Sequence, residues 1–128
     1  MIPERLVLDT NIVIDLLKKA PATVERFLEL SKQKTHFLIC PIVVAEIYAG
    51  AFKREYKDIE ALFDLCERVP TDIDTGRIAG LYANQFSKAY QGISLEDYLL
   101  AATARTHSCP LWTANRKHYP MSDIELFA

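Results

Sequence analysis

Leu6-Val7-Leu8-Asp9-Thr10-Asn11 is the stretch on which the fold turns. Arg5 to Asp9 is a short run of β-branched and aliphatic residues, closed by three polar residues in a row. It reads as a first strand buried on both faces, passing directly into a helix that carries Ile12, Val13, Leu16 and Leu17. The same pattern returns downstream. Pro21 fits the first turn of a helix with Val24, Phe27, Leu28 and Leu30. His36 to Cys40 is a second apolar strand, and Pro41 opens the helix after it. Ile59, Leu62, Phe63 and Cys66 have helical spacing, as do Ile78, Leu81, Tyr82 and Phe86. Ser94 starts another helix through Tyr98, Leu99, Ala102 and Thr106. Pro110 to Thr113 and Ile124 to Phe127 are the last strands. Strands alternating with helices predict an α/β fold, a central, mostly parallel sheet with helices on both faces.

The chain has 128 residues, a length that supports one cored domain spanning 1–128. Lys plus Arg number 15 against 17 Asp plus Glu, a net charge of −2. That balance excludes a histone-like polybasic binder but not a nucleic-acid enzyme with its cations on one face. No uncharged run approaches the ~18 residues that span a bilayer, and the amino terminus lacks the apolar core of a signal peptide. Cys40, Cys66 and Cys109 are widely spaced with no C-x-x-C pair, which predicts buried thiols in a reducing, cytoplasmic setting.

In open α/β sheets ligands gather at the carboxyl ends of the strands. Asp9, Thr10 and Asn11 fall there, after the first strand; one of the three has to cap the helix. Glu46 is the one charged residue among the sixteen from Phe37 to Phe52. A carboxylate in so apolar a helix is costly to bury unless it is paired or metal-bound. An Arg partner, an exposed stripe and a protonated acid are the competing explanations. Strand-Pro-helix places it in the second turn, near the edge where Asp9 lies. Asp97 fits a capping box with Ser94. It also precedes the small residues Ala101, Ala102, Thr103 and Ala104, which let a helix pack close to the sheet. Thr113 and Asn115 follow a late strand, as turn residues or as site residues; His118 lies just beyond.

Three carboxylates, Asp9, Glu46 and Asp97, are thus expected at one sheet edge. Crowded carboxylates raise one another's pKa unless a cation neutralises them. All-oxygen ligation favours Mg²⁺ or Mn²⁺ over zinc. Such an ion can activate water and stabilise a departing oxygen. The sequence holds no H-E-x-x-H, Walker loop, G-x-G-x-x-G or G-x-S-x-G.

Leu6-Val7-Leu8-Asp9-Thr10-Asn11, the lone Glu46, Asp97 ahead of Ala101-Ala102-Thr103-Ala104, and Thr113-x-Asn115 together resemble a PIN domain. Within that family the chain is most similar to VapC-like toxins of toxin–antitoxin pairs, from Leu6 to about Tyr119. The resemblance implies a three-layer α/β/α domain acting as a Mg²⁺- or Mn²⁺-dependent endoribonuclease. It also implies a homodimer inhibited by a cognate antitoxin. Carried over by motif, Asp9, Glu46 and Asp97 are the catalytic, metal-binding acids; Thr10, Asn11 and Thr113 support the site, and Asn115 stands beside the ion or its water. Many family members have a fourth acid where this chain has His118, which leaves open a ligand role, a phosphate contact or a single ion.

Arg116 and Lys117, beside the expected site, are the candidates for RNA-backbone contacts. Lys18 with Lys19 and Lys53 with Arg54 are further basic pairs. Tyr48 and Tyr119 either stack on bases or pack internally. Two other functions compete. A receiver-like signalling domain would need a phosphorylatable Asp after a middle strand, and none follows Ile39-Cys40-Pro41. A catalytically decayed RNA- or protein-binding module would explain the loss of the fourth acid but not the retention of three.

Overall fold

The computed structural model describes residues 2–127. Met1 and Ala128, the outermost positions of the expected 1–128 domain, lie outside the described residues. Five strands form one sheet: β1 (Arg5–Leu8), β2 (His36–Ile39), β3 (Glu67–Arg68), β4 (Leu111–Trp112) and β5 (Leu126–Phe127). Their order is β3-β2-β1-β4-β5, and every pair is parallel. The expected mostly parallel sheet is wholly parallel among the described residues. Six helices flank it: α1 (Thr10–Leu17), α2 (Pro21–Lys32), α3 (Pro41–Ala49), α4 (Tyr56–Phe63), α5 (Ile73–Phe86) and α6 (Leu95–Thr106).

The chain runs from β1 outward to β2 and β3, then returns to β4 and β5 on the other side of β1. Right-handed crossovers therefore send α1–α4 to one face and α5–α6 to the other. In keeping with that, α1 packs on α2, α3 and α4, while α5 packs along α6. Reversal of strand order between β1 and β4 opens a crevice at their carboxyl ends. Asp9 and Thr113 are the residues that follow those two strands.

Leu6, Val7 and Leu8 have no solvent exposure, as a strand covered on both faces requires. Each such aliphatic side chain contributes about 1.5–3 kcal/mol by leaving water. Ala101, Ala102, Thr103 and Ala104 are equally buried, and α6 contacts both β1 and β4. Small side chains let its axis approach the sheet, which holds Asp97 near the crevice. Leu28 and Leu81, on expected apolar helix faces, are instead exposed.

The strands are shorter than their apolar runs. β1 stops at Leu8 because Asp9, its amide still bonded to the Trp112 carbonyl at 3.0 Å, turns into the N-cap of α1; Cys40 takes the N-cap position of α3 without a side-chain bond. Pro110 and Thr113 flank β4 without joining it, and Ile124 precedes β5. The helix expected to include Cys66 ends at Phe63. β3 has no apolar signature: it is the charged pair Glu67-Arg68, made a strand by pairing with Leu38 and Ile39.

Candidate active site

Asp9 occupies the N-cap of α1 and accepts from the Thr10 amide at 2.7 Å through Oδ1. Its other oxygen, Oδ2, accepts from the Thr113 hydroxyl at 2.6 Å and the Tyr119 hydroxyl at 3.1 Å. The cap and site readings of Asp9 are therefore compatible, since one oxygen serves each. Asp9 is 5% exposed. Burial pushes its pKa above the ordinary value, against the three hydrogen bonds, and the nearby Asp97 charge pushes the same way.

Asp97 reaches the same place from α6. Its Oδ2 accepts from the Ser94 amide at 3.0 Å, and its own amide donates to the Ser94 hydroxyl at 3.2 Å. This is the expected capping box, completed. Oδ1 is left for the Tyr119 hydroxyl at 3.3 Å. The two acids thus meet across a single tyrosine hydroxyl. His118 Nδ1 lies 2.9 Å from Asp97 Oδ2 and 2.9 Å from the Asn115 side-chain nitrogen. It donates to Asp97 when protonated there, or accepts from Asn115 when not.

Glu46 is exposed, on the solvent-facing stripe of α3, so the helix carries no buried charge at that position. The Thr10 hydroxyl nevertheless holds Glu46 Oε1 at 2.7 Å, which ties it to the N-terminus of α1 beside Asp9. Among the described residues, no three of His, Cys, Asp and Glu converge closely enough to cage an ion. The expected trio is instead a chain of hydrogen bonds: Glu46 to Thr10, Thr10 to Asp9, Asp9 through Tyr119 to Asp97.

Thr113 and Asn115 belong to this chain. Thr113 is buried; its hydroxyl donates to Asp9 and accepts from the Asn115 amide at 2.9 Å. Asn11 Oδ1 accepts from the Ala114 amide at 3.4 Å, a long bond between α1 and the turn after β4. Arg116 and Lys117 lie exposed on the short 3₁₀ turn Arg116–His118, and neither forms an ion pair among the described residues. Asp123 stays away: its carboxylate accepts from the Tyr82 hydroxyl at 2.8 Å and pairs with Arg105 at 2.9 Å. Tyr48 packs on Tyr56 and Phe63 and donates to Glu60, which accounts for it without a nucleic acid.

Tyr119 is the residue that the sequence reading undervalued. It is 4% exposed, and burial, followed by the charges of Asp9 and Asp97, drives its phenol well above the usual range. It stays protonated and donates. Its only sequence signal is a hydroxyl-bearing aromatic directly after His118.

The donor set fits a hard divalent cation in its chemistry, though its three acids are not drawn together in this structure. It consists of oxygens, and among the described residues Asp9 and Glu46 have no cationic partner, while Asp97 has His118 alone. A buried carboxylate without a counter-charge is the condition that a bound cation relieves.

The PIN domain family model matches residues 6–123. Ribonuclease VapC19 of Mycobacterium tuberculosis is 32% identical over 114 residues, covering 89% of this chain and 91% of that protein. Two solved structures share the fold. VapBC2 from Rickettsia felis, bound to a DNA fragment from its promoter, matches with a TM-score of 0.84 and 22% identity over 96% of this chain and 97% of the other. DNA-bound VapBC from Salmonella typhimurium matches with a TM-score of 0.82 and 19% identity over 96% of each chain. With the family model matching residues 6–123 and a ribonuclease relative 32% identical across 89% of this chain, the chain belongs to the PIN domain family.

Proposed function

We propose that the chain, as a single nuclease domain, is a Mg²⁺- or Mn²⁺-dependent endoribonuclease and the toxin of a toxin–antitoxin pair. The observation that carries this reading is Asp9: a buried carboxylate with no cationic partner among the described residues, facing Asp97 at the switch point of a parallel sheet. The 32% identity to a ribonuclease supports the reaction class, and likeness to toxin–antitoxin complexes supports a cognate antitoxin partner. A homodimer and a cytoplasmic setting complete the proposal; no helix among the described residues is long and apolar enough to cross a membrane.

Asp9, Glu46 and Asp97 would hold the ion. When bound, it supplies a lower pKa for attacking water and positive charge for the departing oxygen. The protein's own residues orient that site. Thr113 and the Thr10 amide fix the Asp9 carboxylate, Ser94 and His118 fix Asp97, and Thr10 keeps Glu46 alongside. Asn115 steadies both Thr113 and His118. Arg116 and Lys117 offer unpaired cations to RNA phosphates.

The deciding experiment is cleavage of a mixed RNA pool by purified protein with Mg²⁺, Mn²⁺ or EDTA, beside Asp9→Asn. Cleavage that needs both the ion and Asp9 supports the proposal. Full activity of Asp9→Asn overturns it. No cleavage and no calorimetric metal binding would favour the decayed binding module instead.

A further inference from the structure

We infer that Tyr119 is a positioning residue for the proposed metal site, its hydroxyl lodged between Asp9 and Asp97 so that the two carboxylates face each other before an ion arrives. The inference rests on the nuclease reading and adds to it a residue that no ligand motif contains.

The geometry is specific to the hydroxyl. The Tyr119 oxygen is 3.1 Å from Asp9 Oδ2 and 3.3 Å from Asp97 Oδ1. It has one proton, so it donates to one acid at a time while touching both. Asp97 Oδ1 has no other hydrogen bond among the described residues, because Ser94 and His118 both engage Oδ2. Ser94 and His118 anchor the other oxygen, and among the described residues the Tyr119 hydroxyl is the group that draws Oδ1 toward Asp9 against the repulsion between the two carboxylates. A phenylalanine would fill the same buried space without this effect, so packing alone does not account for the hydroxyl.

Counting acceptors gives the consequence. A carboxylate has about four lone-pair positions. Asp9 uses three, for the Thr10 amide, Thr113 and Tyr119. Asp97 likewise has three neighbours, in the Ser94 amide, His118 and Tyr119. The acid that receives the Tyr119 proton is left with about one free position and the other with about two, so the engaged acid is suited to single-oxygen ligation of an ion rather than a two-oxygen grip. Loss of the hydroxyl leaves each carboxylate on its two remaining partners and lets the pair move apart, and that added freedom must be removed again when the ion binds. Weaker binding is the expected sign.

The test is a calorimetric titration of the full chain with Mn²⁺ alone, for wild type and Tyr119→Phe, paired with RNA cleavage over a range of Mn²⁺ concentrations. The expected result is a 10- to 100-fold weaker Kd, the range typical of groups that orient metal ligands, with cleavage by the variant recovering as Mn²⁺ is raised. A merely structural role would lower cleavage without that recovery. Equal Kd and equal cleavage in the two proteins overturn the role of Tyr119 and leave the nuclease reading standing. Wild-type protein that neither binds Mn²⁺ nor cleaves overturns both. Should Tyr119→Phe fail to fold, wild type labelled with 3-fluorotyrosine supplies the second readout. Addition of Mg²⁺ then moves one buried tyrosine fluorine resonance and moves none in Asp9→Asn; no movement in wild type that binds Mg²⁺ overturns the inference.

Discussion

Thr10 donates its hydroxyl to Glu46 at 2.7 Å and its amide to Asp9 at 2.7 Å. One residue therefore ties an exposed acid on α3 to a buried acid at the end of β1. Thr10→Ala should leave the fold intact and lower cleavage about 10- to 100-fold, as loss of a ligand-orienting hydrogen bond does. Thr10→Ser should keep most of the activity. Initial rates at fixed Mn²⁺ for the three proteins check this, and an Ala variant as active as wild type would remove Thr10 from the site.

Asp9→Asn should separate function from stability. Burial is the main force raising the Asp9 pKa, so the native state strains against this charge near neutral pH. Removing it offsets the hydrogen bonds that an amide satisfies less well. In EDTA, the melting temperature of Asp9→Asn should equal or exceed that of wild type at pH 7, while cleavage is abolished. As pH falls toward 3.8, the ordinary carboxyl value, wild-type Asp9 takes up its proton and the advantage of Asn should shrink. A variant that melts far below wild type at pH 7 contradicts the argument.

Asp72 has the opposite sign. It caps α5, its side chain accepting from both the amide and the hydroxyl of Thr75 at 2.9 and 2.8 Å, and these bonds lower its pKa below 3.8. Its stabilising effect is complete above 3.8 and disappears as pH falls through the lowered folded value. Asp72→Ala should therefore melt below wild type at pH 7, and the gap should close under strongly acid conditions. Thermal melts at a series of pH values test this.

Arg116 and Lys117 are exposed and free of ion pairs among the described residues. If they meet RNA phosphates, the double variant Arg116→Ala, Lys117→Ala should raise KM and leave kcat near wild type. Each single-strand phosphate contact contributes about 0.7 to the salt slope, so the slope of log affinity against log salt should fall by roughly 1.4. An unchanged slope would place the RNA path elsewhere.

Tyr98 is 2% exposed and its hydroxyl has no hydrogen-bond partner among the described residues. A buried hydroxyl left unpaired costs about 1–3 kcal/mol. Tyr98→Phe removes it while keeping the ring, and should raise the melting temperature or leave it unchanged. A fall of several degrees would reveal a partner, such as an internal water.

Much of this molecule follows from local pattern. The apolar runs at Leu6-Val7-Leu8 and His36 to Cys40, each feeding a helix, are enough to predict parallel strands, because burial on both faces leaves no alternation. Asp9, Asp97, Thr113 and Asn115 could be placed at one edge for the same reason: each follows an apolar strand or opens a helix packed on one. What the pattern could not supply is pairing between distant segments. Glu67-Arg68 is a strand only because β2 presents it with unsatisfied backbone groups. The lone charge at Glu46 marks a position near the site, but one sequence cannot say which side of α3 faces water. Tyr119 reads as one more aromatic until the close of β4 brings it beneath both Asp9 and Asp97. Hydrophobic periodicity is written in neighbouring residues and so determined the class of fold. The hydrogen-bond chain from Glu46 to Asp97 joins residues as much as 110 positions apart, and only the folded chain decides which of them meet.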